Sequence, residues 1–196
     1  MNELDLLDWK RRIFDLYAEV RRSSPLDGWE RWRAVRDELW YEHPQSPSPG
    51  YTELDYFPYD PACRVLAVVE PVEEELREIA GSAGSLTTFR RFALARFELG
   101  GAAQALELYW LEGYGGGVFL PFADATRGRE TYGAGRYLLD TVKGSDLGME
   151  DGRLVLDFNF AYNPSCSYDD SWACPLAPAP NVLLTAVRAG ERMLGA

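Results

Sequence analysis

The sequence predicts an α+β, mainly β fold: an antiparallel β-barrel or β-sandwich that carries two N-terminal helices. Apolar residues recur at three- and four-residue steps only in the first 43 residues, which is the period of a helix. A proline-rich stretch at residues 44–50 follows. Beyond it, short alternating or β-branched segments are separated by glycine- and proline-containing turns. Seven or more such strands favour a sandwich or a small barrel.

The two predicted helices each have one apolar stripe. The first covers residues 6–20 and ends before a serine-serine-proline sequence. The second covers residues 29–42, with Asp27 as its predicted N-cap. His43 ends it, because the residue before a proline is disfavoured in the α region. We expect this helical segment, residues 1–43, and a β-rich domain, residues 51–196, to form one structural unit.

The predicted strands follow in order along the rest of the chain. They cover residues 64–70, 86–92, 94–99, 105–111, 118–122, 130–142, 154–162 and 182–187. Residues 73–79 fit a short helix or a strand equally well. The Gly100-Gly101 pair predicts a turn, and no internal repeat is present.

The charge of the chain excludes several classes of partner. With 31 acidic against 20 basic residues, the formal net charge is −11, which repels nucleic acid and anionic membranes. The first residues lack the cationic region and apolar run of a signal peptide, and no apolar run is long enough to span a bilayer. Three cysteines argue against a disulfide framework, so we expect a cytoplasmic protein. The sequence leaves homo-oligomerisation open.

Two segments carry more polar residues and glycines than a β core needs. Residues 121–137 read PFADATRGRETYGAGRY, and residues 157–168 read DFNFAYNPSCSY, with Cys174-Pro175 and Asn181 further on. If residues 130–142 form one strand, Tyr132 and Arg136 share a face. If residues 143–152 then make a hairpin loop, Arg136 lies opposite Asp157.

These two segments resemble the signatures of the domain-of-unknown-function 1684 family of prokaryotic proteins. The segments around His43-Pro44, around residues 56–61 and at residues 188–192 resemble the same family. The resemblance extends from about residue 29 to the C-terminus, and Ser48 departs from the leucine that the family often has. What it implies is a shared fold and a place to look for a site, since no activity is attached to the family.

The motif residues predict a polar site with two interpretations. In one, Arg136 anchors an anionic small molecule, which Tyr132, Asn159 and Asn163 orient. In the other, the same residues form a buried hydrogen-bond network that fixes the sheet register. The full set of candidate residues is Asp124, Glu130, Tyr132, Arg136, Asp157, Asn159, Tyr162, Asn163 and Cys166. Among them Cys166, Asp124 and Glu130 are the candidate catalytic groups, and the sequence leaves open whether the protein is an enzyme.

The cysteines and the single histidine carry further alternatives. A zinc site would combine Cys63, Cys166, Cys174 and His43, but the chain has no Cys-x-x-Cys pair of the kind that zinc sites use. A thiol nucleophile needs a nearby base, and the only histidine precedes the β domain. We favour cysteines that are buried as small hydrophobes or that form a reversible pair.

Three functions therefore remain as hypotheses. The first is a cytoplasmic small-molecule-binding domain, and the second is an interaction protein that docks through exposed Trp and Tyr of its N-terminal helices. The third is a flavin-binding protein, by analogy with split-barrel folds alone. No cofactor is implied by any motif.

Overall fold

The computed structural model describes residues 2–50 and 54–193. Both N-terminal helices are present, as α1 (Glu3–Val20) and α2 (Pro25–Glu42), and His43 ends the second as predicted. The predicted N-cap of α2 is wrong: Ser24 caps the helix, and its hydroxyl oxygen accepts a hydrogen bond from the Asp27 amide at 3.3 Å. Pro25 suits the first helical position, because a backbone N–H at that position makes no hydrogen bond within the helix and its absence in proline costs nothing. The helix therefore begins four residues before residue 29.

Among the described residues after α2, seven strands form one antiparallel sheet in the order β5-β4-β3-β2-β1-β7-β6. The predicted class, mainly β with two N-terminal helices, is confirmed, and the sheet is not closed into a barrel. The strands are β1 (Arg64–Ala80), β2 (Leu86–Leu99), β3 (Ala102–Leu111), β4 (Gly117–Phe122), β5 (Arg136–Asp140), β6 (Met149–Glu150) and β7 (Arg153–Asp157).

Strand β1 connects the two parts of the sheet. Its first four residues, 64–67, pair with β7, and its later residues pair with β2 across a register shift between Pro71 and Glu75. The ambiguous residues 73–79 are therefore strand. Likewise, the two strands predicted within residues 86–99 are one strand, with a register shift between Arg91 and Ala93. A β-bulge of this kind bends a strand without ending it, and alternation alone does not reveal it.

Three predicted strands are wrong in extent. Residues 130–142 contain a turn at residues 133–134, and strand geometry begins only at Arg136, after Gly135 with φ +96°. Residues 154–162 leave the sheet after Asp157 and continue as a 3₁₀ turn. Residues 182–187 make a single bridge, between Val182 and Ala123, and no strand. The shared strand face predicted for Tyr132 and Arg136 is therefore wrong, because Tyr132 lies before the turn and outside the strand.

The predicted hairpin between Arg136 and Asp157 is also wrong. Arg136 pairs in register with Phe122 of β4, while Asp157 pairs with Arg64 of β1. Four strands lie between β5 and β7 in the sheet. The two segments meet only after β7 has ended, at an isolated bridge that joins Tyr137 to Tyr162.

Two of the three apolar clusters of the described residues hold the sheet and the helices together. The first lies on the sheet and includes Leu106, Phe122 and Phe158, together with Val187 and Ala189 from the C-terminal segment. The second joins the helices to the chain that follows β7; it consists mainly of Ile13, Leu16, Tyr17, Val20, Trp29, Trp32, Leu39, Trp40, Leu54, Tyr56 and Phe160. Within the described ranges, neither helix is long and apolar enough to cross a membrane.

Asn181 supports the sheet where two strands separate. Strands β3 and β4 pair only over residues 109–111 and 117–119. Beyond that point the Asn181 amide accepts from the Glu107 backbone N–H at 2.8 Å and donates to the carbonyls of Glu107 and Pro121 at 3.0 and 2.8 Å. The side chain thus supplies hydrogen bonds that a paired strand would make.

Candidate functional site

Arg136 belongs to a buried network that holds the C-terminal segment. Its side chain is 1% exposed, and its Nη2 donates to Asp124 Oδ2 and to the Val187 carbonyl, both at 3.0 Å. Its Nη1 donates to the carbonyls of Ala189 and Glu191. Burial lowers the pKa of Arg136, and Asp124 opposes that effect. The contacts favour the network interpretation, and ligand anchoring by Arg136 stays a prediction.

Asp124 is equally occupied by protein groups. Its Oδ1 accepts from the backbone and the hydroxyl of Thr126, at 2.8 and 2.6 Å, and from the Val187 N–H at 3.1 Å. Four donors therefore surround this carboxylate, counting Arg136. Glu130 does not join it: its carboxylate lies at the surface in a two-pronged ion pair with Arg188, both bonds at 2.8 Å. The predicted carboxylates thus point to different partners.

Gly190 shows how tightly the C-terminal segment fits. It has φ +75°, and a Cβ at this position would lie 2.6 Å from the Ala161 carbonyl oxygen and 2.7 Å from that of Phe158. Only glycine brings two backbones this close at such a φ without strain. The segment is therefore part of the scaffold around the site.

Asp157 and Asn159 clamp a second loop. The Asn159 amide donates to Asp157 Oδ1 and to the Asp60 carbonyl, both at 2.8 Å, and accepts from the Asp60 N–H at 2.9 Å. Asn159 is fully buried, and burial raises the pKa of Asp157 to about 6. The pair fixes the loop that leads into β1.

A small cavity lies where the helices meet the chain after β7, and we call it the helix–sheet cavity. Its volume is about 70 Å³. Two of the predicted residues, Tyr162 and Asn163, line it. The remaining wall consists of Trp9, Ile13, Tyr17, Trp32, Arg36, Trp40, Tyr137, Lys143, Ser145, Pro164 and Ser165.

Arg36 is the central charge of this cavity wall. The guanidinium lies 4.8, 4.4 and 5.0 Å from the ring centres of Trp32, Trp40 and Tyr162, a three-sided cation–π arrangement. Its Nη2 donates to Glu191 Oε2 at 2.8 Å. Burial raises the pKa of Glu191 to about 7, against the opposing effect of Arg36.

Several buried polar atoms near the cavity make no hydrogen bond. Within the described ranges, Trp40 Nε1 and Asn163 Oδ1 have no partner, and both atoms belong to residues of the cavity wall. The orientation of the Asn163 amide is fixed, because its Nδ2 donates to the Arg192 carbonyl at 2.8 Å. Glu191 Oε1 is also without a partner among residues 2–50 and 54–193. Native proteins leave few such atoms, and each indicates a missing partner or a functional role.

Cys166 and Cys174 are both buried, and interaction with the Cys174 thiol is the main cause that lowers the pKa of Cys166 to about 6. The same interaction raises the pKa of Cys174. The predicted site residue Tyr132 lies here, with its hydroxyl 3.9 Å from Cys166 Sγ. All three cysteines are free thiols.

The four residues of the zinc alternative do not gather. The His43 ring lies between Asp8, 3.3 Å from Nε2, and the Gln45 N–H, which donates to Nδ1 at 3.0 Å. Cys63 Sγ lies 3.7 Å from the Asp60 carboxylate. Within the part of the chain that the structure describes, no three His, Cys, Asp or Glu side chains are placed to hold a metal.

An open groove of about 390 Å³ lies between the helix ends and β7. Asp157 and Arg64 line it, and Arg64 pairs with Glu150 at 2.6 Å. Its volume suits a small molecule. However, its basic side chains are already engaged, since Arg21 also pairs, with Asp146 at 3.8 Å.

Four of the large aromatic side chains of the helices are buried. Trp29, Trp32, Trp40 and Tyr17 are buried in the second cluster, so the predicted docking through exposed Trp and Tyr is wrong for these four. Tyr41 is exposed.

Sequence reasoning missed Arg36, Glu191 and Lys143. One signal was available: Arg36 lies on the apolar stripe of α2, between Trp32 and Leu39, where a solvated charge is not expected. Glu191 had a weaker signal, since it lies in residues 188–192, one of the segments that resemble the family, but nothing in that segment shows that it meets Arg36.

The fold and the site define a mainly β domain with a helical cover, a small polar cavity and buried thiols. The chain belongs to the family described as "Protein of unknown function (DUF1684)", whose model matches residues 49–192, which confirms the resemblance seen in its motifs. A solved structure with the same fold is the solution NMR structure of an uncharacterized protein of Haloarcula marismortui. It is 36% identical with a TM-score of 0.61, and the match covers 84% of this chain and 92% of that one. No curated protein matches the chain.

Proposed function

We propose that this protein binds a small molecule in the helix–sheet cavity. The observation that carries the proposal is that two buried polar atoms without a partner among the described residues, Trp40 Nε1 and Asn163 Oδ1, belong to residues of the cavity wall. A buried polar group without a partner costs about 1–3 kcal/mol. A ligand that accepts from the indole N–H and donates to the amide oxygen supplies both bonds.

The wall restricts the size and charge of the ligand. A volume of about 70 Å³ suits a compact molecule and is too small for the three fused rings of a flavin. Arg36 and Lys143 are the two cationic side chains of the wall. Protonation of Glu191, whose burial raises its pKa to about 7, leaves the charge of Arg36 less compensated. The ligand we propose is a small carboxylic acid that also carries a hydroxyl or amino group.

The proposal retains part of the site predicted from the motifs. Tyr162 and Asn163 belong to the cavity, while Arg136, Asp124 and Asn159 hold the segments around it. We also place the protein in the cytoplasm, on the argument that an odd number of cysteines suits a reducing compartment.

Native mass spectrometry, with the denatured mass as reference, is the first test. Mass that is lost on denaturation would identify a bound ligand. The second test measures the unfolding temperature with glycolate, glycine, acetate and inorganic phosphate at constant ionic strength. Saturation at a hundredfold excess over Kd stabilises a protein by about 2.7 kcal/mol. For a chain of this size, that amounts to a rise of roughly 5–10 °C.

Variants of the cavity wall test whether the stabilisation by glycolate comes from binding in the cavity. Trp40→Phe keeps an aromatic ring and removes the N–H, so the rise with glycolate should disappear. Trp110→Phe, in the half-exposed side chain of β3, is the matched control and should respond like the wild type. Glycolate should stabilise more than acetate, which lacks the donor for Asn163. A bare native mass together with no rise for any probe, or an equal rise in Trp40→Phe, would overturn the proposal.

A further inference from the structure

A second cavity is lined by residues of strands β2 to β5, and we call it the aromatic cavity. Its volume is about 110 Å³. Tyr137 belongs to the walls of both cavities: the centre of its ring lies 4.8 Å from that of Phe119 in the aromatic cavity and 5.7 Å from that of Tyr162 in the helix–sheet cavity. The rest of the wall of the aromatic cavity consists of Thr87, Phe89, Leu111, Phe119, Asp140, Val142, Lys143 and Pro175.

Contacts within the wall hold the aromatic cavity in shape. The rings of Phe89 and Phe119 are stacked with their centres 5.0 Å apart, and both side chains are buried. The Tyr137 hydroxyl donates to the Pro175 carbonyl at 2.5 Å, which fixes the orientation of the ring. The cavity is therefore pre-formed, as small-molecule sites usually are.

Two opposite charges belong to this otherwise mainly apolar wall. The Lys143 ammonium lies 3.3 Å from Asp140 Oδ2, and the two side chains are 62% and 9% exposed. Among residues 2–50 and 54–193, Lys143 is the single side-chain partner of the Asp140 carboxylate. Because a buried carboxylate is stable only when it is well paired, Asp140 has room for a second cationic donor. An ion pair with an exposed lysine is weak, so Lys143 can turn toward a ligand at little cost.

We propose that the aromatic cavity binds a free α-amino acid with a branched aliphatic side chain. Asp140 accepts from its ammonium group, Lys143 donates to its carboxylate, and the side chain fills the cavity. The two charges of the wall are thus complementary to the two charges that a free amino acid carries on one carbon atom. An apolar cavity of about 150 Å³ binds benzene, so a volume of about 110 Å³ suits a branched chain of three or four carbons. This site is separate from the one proposed above.

A series of amino acids measures the burial of the side chain. Each buried carbon should raise the affinity about fourfold. The dissociation constant, measured by isothermal titration calorimetry on the full chain, should therefore fall from L-alanine to L-valine to L-leucine. L-tryptophan is too large for the cavity and should bind no better than L-alanine. Equal dissociation constants for L-alanine and L-leucine, or no binding of either, would overturn the proposal.

Two leucine derivatives test the two charges separately. N-acetyl-leucine lacks the ammonium group and leucinamide lacks the carboxylate, so each should bind more weakly than leucine by about tenfold or more. Equal binding of leucinamide would assign the site to the N-terminus of a peptide, and equal binding of N-acetyl-leucine would remove Asp140 from the site. Either result would overturn the proposal.

Variants of the wall test the position of the site. Asp140→Asn keeps the shape and removes the negative charge, so leucine should bind more weakly by about tenfold or more. Asp146→Asn, in a carboxylate whose side chain is 44% exposed and lies outside the cavity wall, is the matched control and should bind leucine like the wild type. Val142→Phe fills the cavity and should abolish the binding of leucine. Unchanged binding in Asp140→Asn and Val142→Phe would overturn the proposal.

One further variant separates the two cavities. Asp140 and Val142 belong only to the wall of the aromatic cavity, whereas Trp40 belongs only to that of the helix–sheet cavity. Trp40→Phe should lose its response to glycolate and still bind leucine. Loss of leucine binding in Trp40→Phe would place leucine in the helix–sheet cavity and overturn this proposal. Binding of leucine without any response to glycolate would support this site and overturn only the first proposal.

Discussion

Arg136 offers a sharp test of whether the motif residues hold the fold. We expect Arg136→Ala to destabilise the protein severely, because it leaves the buried carboxylate of Asp124 without its cation. It also removes the donor from the carbonyls of Val187, Ala189 and Glu191. Breaking a buried ion pair by removing one partner costs about 3–5 kcal/mol. That is a large part of the roughly 5–15 kcal/mol by which a domain is stable.

The control lies in the same C-terminal segment. Arg188 makes a two-pronged ion pair with Glu130, but its side chain is 62% exposed. An exposed pair is worth about 0–1 kcal/mol. Arg188→Ala therefore removes the same type of side chain and the same type of bond without leaving a buried charge.

Urea unfolding followed by tryptophan fluorescence measures the difference. With a slope of about 2 kcal/mol per molar urea, Arg136→Ala should lower the midpoint by about 2 M and Arg188→Ala by less than about 0.5 M. Arg136→Lys keeps the positive charge but loses the planar guanidinium group that donates several hydrogen bonds, so its urea midpoint should lie between those of the two alanine variants. Equal small shifts for Arg136→Ala and Arg188→Ala would refute the network interpretation, and Arg136 would then return as a candidate ligand anchor.

Three further predictions follow from the described contacts. Gly190→Ala should destabilise the protein by about 3 kcal/mol more than Gly152→Ala. Both glycines have positive φ, but of the two only Gly190 would place a Cβ within 3 Å of backbone atoms. Urea unfolding midpoints of the two variants measure the difference, and equal midpoints would refute the close approach. Burial raises the pKa of Glu191 above its unfolded value of about 4.5 to about 7, so its contribution to stability is present below pH 4.5 and is lost as pH rises to 7. Urea titrations across that range should show a smaller fall for Glu191→Gln than for the wild type, and an unchanged pH profile would contradict the shift. Asn159→Ala should lower the free energy of unfolding by about 2–3 kcal/mol. It should also speed amide hydrogen exchange at Asp60, because it removes the acceptor of the Asp60 N–H. Unchanged exchange at Asp60 would show that the contact between Asn159 and this loop is unimportant.

The sequence alone determined the helical part and the class of fold. Period-3.6 stripes predicted both helices, because burial of one face imposes that spacing, and His43-Pro44 predicted the end of α2. Alternating segments and turns predicted an antiparallel, mainly β domain. The long motifs placed the chain in its family, since ordered patterns of Gly, Asn, Asp and Pro record specific backbone requirements.

Only the tertiary structure decided which polar residues meet. Sequence alternation put Arg136 opposite Asp157. The periodicity of the sequence does not predict the bulges, the turn before β5 or the end of β7, which together determine the pairing. The true partner of Arg136 is Asp124. The cavity likewise joins Arg36 of α2 to Asn163, more than a hundred residues away in the chain. Contacts of that separation depend on how the helices pack on the sheet, and the sequence specifies this packing only through the whole fold.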